Sequence, residues 1–74
     1  MTLWIVCEKG NGCGTNTRAE FRERDFGIWD EARVKARAKA KELSLKEPAT
    51  VFQVRACDEG DCPLFYEYKN GEVV

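Results

Sequence analysis

Ile28 to Leu45 runs IWDEARVKARAKAKELSL, and its apolar residues carry the period of a helix. Trp29, Ala32, Ala36, Ala40 and Leu43 recur at helical spacing and form one stripe. Asp30 and Glu31 favour a helix N-terminus here, and Lys41 and Lys46 suit its other end. Pro48 stops the helix. A stripe made mostly of alanine lets a helix lie close to a sheet, with Trp29 and Leu43 as larger anchors at its two ends.

On either side of this stretch the chain has the pattern of paired strands. TLWIVC (residues 2–7) alternates well enough for a strand, and EKGNG is a turn with a hairpin signal at Asn11-Gly12. TRAEFRERDF (17–26) places Ala19 and Phe21 on one side and Arg18, Glu20 and Arg22 on the other. Such charged alternation suits an exposed edge strand, because charge discourages sheet-to-sheet aggregation. After the helix, ATVFQVRAC (49–57) is β-branched, aromatic and alternating. DEGD is a turn. PLFYEYKNGEVV (63–74) is a last strand with an Asn70-Gly71 turn, after which Glu72 to Val74 add a short fifth strand or fray. The expected architecture is a single α+β domain over residues 1–74, ββαββ. It has an antiparallel sheet of four to five strands with one helix on one face.

Composition narrows the function classes. The 74 residues carry 12 Lys and Arg against 13 Asp and Glu, a net charge of −1, so the whole molecule has no strong pull toward nucleic acid or membrane. No histidine is present, which removes the commonest general base and metal ligand. Neither a P-loop, a dinucleotide glycine fingerprint nor a Ser/His/Asp set occurs. No enzymatic activity and no cofactor are therefore expected. The apolar run Leu3–Cys7 is too short for a signal peptide or membrane span. An intracellular, cytoplasmic protein is expected, where thiols are kept reduced.

The four cysteines, in CEKGNGC (7–13) and CDEGDC (57–62), bracket two turns. Four thiolates on one zinc, from Cys7, Cys13, Cys57 and Cys62, form one alternative. The ββαββ tracing argues against it by placing the two pairs at opposite ends of the sheet. A cross-strand disulfide within each hairpin is geometrically allowed. The compartment favours free or opportunistically oxidised thiols instead.

Two surfaces remain as candidates for binding. Arg33, Lys35, Arg37, Lys39 and Lys41 make the helix basic, and Val34, Ala38 and Leu45 lie together opposite the core stripe. An apolar strip bordered by cations suits docking on a protein. The same cations can hold phosphates. An ordinary solvated helix face has the same composition. The second surface is the open sheet face. With Leu3, Ile5, Phe21, Phe52, Val54 and Phe65 turned toward the helix, Trp4, Val6, Arg22, Val51, Gln53, Arg55, Tyr66 and Tyr68 point away. Exposed Trp4, Tyr66 and Tyr68 beside Arg55 suit a protein interface, a second copy of the chain, or stacked single-stranded nucleic acid. Mutual packing that merely shields the sheet is the alternative.

The helix and ATVFQVRACDEGDCPLFYEYKNGEVV, with its "TVxxV" strand and "KxG" turn, resemble the closing half of small ββαββ phage and mobile-element proteins. Some anti-CRISPR proteins are among them. The match is one of element order over roughly the last 45 residues. The resemblance implies a non-catalytic inhibitor that occludes a nucleic-acid-handling protein complex.

Overall fold

The computed structural model describes residues 2–10, 17–25 and 29–74, with only the backbone of Trp29. Among these residues the order is β1 (Leu3–Glu8), β2 (Thr17–Arg22), a 3-10 turn (Glu23–Asp25), α1 (Trp29–Lys46), β3 (Phe52–Cys57), β4 (Leu64–Lys69) and β5 (Glu72–Val73). The strands form one antiparallel sheet in the order β2-β1-β3-β4-β5. The α+β, ββαββ architecture is as expected, and Glu72–Val73 do form the fifth strand. The Asn11-Gly12 turn signal falls outside the described residues.

The alanine stripe sets the packing. Ala32, Ala36 and Ala40 are fully buried, and Leu43 joins them in the core. Across from them stand large side chains: Trp4, Val6, Phe52, Val54 and Tyr68, with Phe21 and Tyr66 packed alongside. Small residues on the helix thus meet large ones on the sheet, so that the two layers interdigitate.

That complementarity corrects the expected facing of two strands. β2 and β3 are phased as read, with Ala19, Phe21, Phe52 and Val54 toward the helix. β1 and β4 are reversed: Trp4, Val6, Tyr66 and Tyr68 belong to the helix-side cluster, whereas Leu3 and Ile5 do not. In β1 both alternating series are apolar, so hydrophobicity alone does not choose between them, and a one-residue slip exchanges the faces. The gap left by three methyl groups selects the series with the larger ring. In β4 a register shift opposite Val54/Arg55 adds a second change. It lets Phe65 lean onto Trp4, ring centroids 5.1 Å apart, while its neighbour Tyr66 also faces the helix.

Both described hairpins have two-residue turns with left-handed backbone. Glu59 and Gly60 (φ 48° and 91°) close β3–β4, and Asn70 and Gly71 (φ 52° and 83°) close β4–β5. The second turn is pinned to the helix. The buried Ser44 hydroxyl donates to the Lys41 carbonyl and accepts from the Gly71 N–H, both at 2.8 Å. Leu45 lies over Gly71, where an added Cβ would sit 2.6 Å from its Cδ2. Gly71→Ala should therefore cost about 1–2 kcal/mol from the left-handed backbone, a melting-temperature drop of roughly 4–8 °C per kcal/mol. The loss should persist in a Leu45→Ala background, since only the clash is relieved there. Unchanged melting of Gly71→Ala would refute this account of the turn.

Of the states weighed for the cysteines, free or opportunistically oxidised thiols against a cross-strand disulfide, the 57–62 hairpin takes the disulfide. Cys57 and Cys62 are joined in a disulfide. The reason lies in the hairpin ladder. Asp58 and Asp61 exchange both backbone hydrogen bonds, at 2.8 and 3.0 Å. The next pair outward is a non-hydrogen-bonded pair, where side chains approach most closely. Cys57 and Cys62 occupy it, with Cα atoms 4.0 Å apart.

The four-thiolate zinc alternative fails on register. Cys57 pairs with Leu3, and Cys7 pairs with Gln53. Four strand positions separate them, roughly 13 Å, whereas ligands on one zinc lie within about 5 Å of each other. Cys13 falls outside the described residues.

Candidate protein-docking flank

The cations of the basic helix divide into three groups by the partners they hold. Arg33 and Arg37 turn toward β4 and cover its tyrosines. Arg37 Nε donates to the Tyr68 hydroxyl at 2.7 Å, and its guanidinium lies 4.1 Å from the centre of the Tyr66 ring. Arg33 Nη1 donates to the Tyr66 hydroxyl at 2.8 Å while its Nε and Nη2 hold Asp30. Tyr68 is buried, so its hydroxyl needs this partner. These hydrogen bonds raise both guanidinium pKa values further.

Lys39 and Lys46 share Glu42, at 3.6 and 3.2 Å, and with it form a salt-bridged ladder along the helix. The two ammonium groups hold the Glu42 carboxyl below the usual range, with the Lys46 hydrogen bond the larger cause. Lys35 and Lys41 make no ion pair among the described residues, and both are exposed.

Trp4, Tyr66 and Tyr68 were expected on the open face and are found beneath or beside the helix instead. A stacking platform of these rings on the open face is therefore not formed. Arg55 does lie on the face away from α1. There it donates to the Gln53 side-chain oxygen at 3.0 and 3.2 Å and to the Cys62 carbonyl at 2.9 Å. Gln53 passes the chain on to Glu67 at 2.6 Å, and Lys9 reaches Glu67 at 3.7 Å. This face is thus laced by a polar ladder running across β3 and β4.

The far edge is charged. Arg18, expected to point outward from β2, instead ties the edge to the helix end through Glu47 at 2.6 Å and Glu8 at 3.2 Å. Its guanidinium passes 5.5 Å from the Phe52 ring centre. The Arg18 hydrogen bond keeps the Glu47 carboxyl below its ordinary pKa.

Among the described residues, large exposed apolar side chains lie toward the opposite flank. Among the described residues the exposed large apolar side chains are Val34, Leu45, Leu64, Phe65, Val73 and Val74. All lie on α1, in β4, or at the β5 end of the chain, and none on β1, β2 or β3. Val34 and Ala38 border a shallow depression with Arg37 and Lys41, floored by Tyr68. Val73 pairs across from Tyr68 and extends the strip toward the chain end. Val34, Ala38 and Leu45 were legible from helical spacing. Nothing in the sequence marks β4–β5 as the sheet's outer edge, so the exposure of Leu64, Phe65, Val73 and Val74 is legible only in the structure.

No family model, curated protein or solved structure matches this chain. No helix among the described residues is long and apolar enough to cross a membrane.

Proposed function

We propose that this chain is a small non-catalytic protein-binding module that docks through the α1–β4–β5 flank. One observation carries the reading: exposed large apolar side chains are gathered on those three elements, while the β2 side presents charge. Exposed apolar surface rimmed by polar groups is what protein interfaces cover. Lys41 stands beside this strip and favours a partner with carboxylates around its own apolar patch. The inhibitory role implied by the resemblance to phage proteins is one form of such docking, in which a partner's surface is occluded.

The test begins with photo-crosslinking from positions 34 and 73 to identify the partner, followed by affinity measurement. Val34→Glu with Val73→Glu should weaken binding at least tenfold, while Glu20→Lys on the opposite edge should leave it unchanged. Equal effects from both changes would refute the assignment of the flank. Light scattering on the isolated chain separates a foreign partner from a second copy. A gel shift across a salt series reads nucleic-acid binding, and affinity for single strands that falls steeply with salt would favour that competing role.

A further inference from the structure

We propose that the Cys57–Cys62 bridge is a thiol–disulfide exchange site that opens and closes on the folded domain, its co-reactant a dithiol. The inference stands apart from the docking flank and rests on where the bridge lies.

Access comes first. Both cysteines are half-buried, not enclosed. They line a shallow depression of about 690 Å³ with Leu3, Ile5 and Glu20, on the face away from α1. A disulfide that lines an open depression is within reach of an attacking thiolate, whereas an enclosed one is protected kinetically.

Redundancy comes second. The hairpin that the bridge spans is held without it. Asp58 and Asp61 exchange two backbone hydrogen bonds, and the Ala56 N–H donates to the Pro63 carbonyl at 3.2 Å. Glu59 and Gly60 supply the turn backbone. Arg55 clamps the Cys62 carbonyl from the neighbouring strand. Neither cysteine belongs to the hydrophobic core. The cross-link closes a loop of only a few residues, so it constrains the unfolded chain far less than a long-range bridge would. Cutting it therefore leaves the ladder, the turn and the core in place.

The exchange balances in two steps. A thiolate of the dithiol attacks one sulfur of the bridge, the Cys57–Cys62 bond breaks, and the other cysteine leaves with the electron pair and takes a proton. The second thiolate of the dithiol then attacks its own sulfur in the mixed disulfide and releases the first cysteine, which is protonated in turn. The dithiol is oxidised to a disulfide, and the protein gains two electrons and two protons.

The wild-type chain should be treated with dithiothreitol without denaturant, alkylated, and mapped by peptide mass spectrometry, with far-UV circular dichroism followed in parallel. Cys57 and Cys62 should both be labelled while the dichroism stays native, and removing the reductant under oxidised glutathione should restore the bridge. Labelling that requires denaturant, or that advances only as the dichroism signal is lost, would overturn the proposal. Cys57→Ser with Cys62→Ser provides an independent reading. That variant should keep the native spectrum, and a variant that does not fold would show the bridge to be structural.

Discussion

Phe52→Ala should remove about 3–5 kcal/mol of stability, the usual cost of emptying a fully buried phenylalanine site. A domain of this length has roughly 4–11 kcal/mol in total, so the variant should be largely unfolded in modest urea. The size follows from position. Phe52 is fully buried and begins the strand at the centre of the sheet. It pairs with Glu8 on one side and Tyr68 on the other. The Arg18 guanidinium, itself tied to Glu47 at the helix end, closes over the ring. Removing the ring opens a cavity where β1, β3, β4 and that strap meet. The alanines opposite are too short to fill it. Equilibrium urea denaturation measures the effect, and a loss under 1 kcal/mol would mean that the core is not organised around this ring.

The second large effect is expected at Arg37. Arg37→Ala should cost about 2–3 kcal/mol, because the buried Tyr68 hydroxyl loses its partner and the Tyr66 ring loses the cation above it. A double-mutant cycle with Tyr68→Phe isolates the hydrogen bond: in that background Arg37→Ala should cost markedly less. Additive losses would show that the contact is not energetically coupled. The outcome also governs how binding data are read. Charge reversal at Arg37 perturbs the fold as well as the surface, whereas charge reversal at Lys41 reports on docking without that complication.

The contrast between Arg37 and Lys41 shows what a one-dimensional reading captures. The alanine stripe was legible because helical spacing places Ala32, Ala36, Ala40 and Leu43 on one line regardless of what covers them. The Asn70-Gly71 turn was legible because few residues other than Asn and Gly adopt left-handed backbone readily. Strand phase was not legible in β1, where Leu-Trp-Ile-Val-Cys offers two apolar faces. In β4 the register shift breaks the alternation that a reading depends on. The roles of the cations were hidden for a different reason: Arg37 finds its hydroxyl partner 31 residues away, and Arg18 finds Glu47 at a distance of 29. The disulfide was geometrically foreseeable. Compartment favours free or opportunistically oxidised thiols, whereas hairpin register accounts for the bridge.

The alanines of α1 carry one more consequence. Where methyl groups alone space a helix from its sheet, the two layers meet too closely to open a chamber between them. A metabolite or lipid seated there would have to lift the whole helix, breaking Ser44 from Gly71 and both arginines from their tyrosines at once. Recognition is thereby kept out of the helix–sheet interior among the described residues, and a partner is met at the outer surfaces by shape and charge.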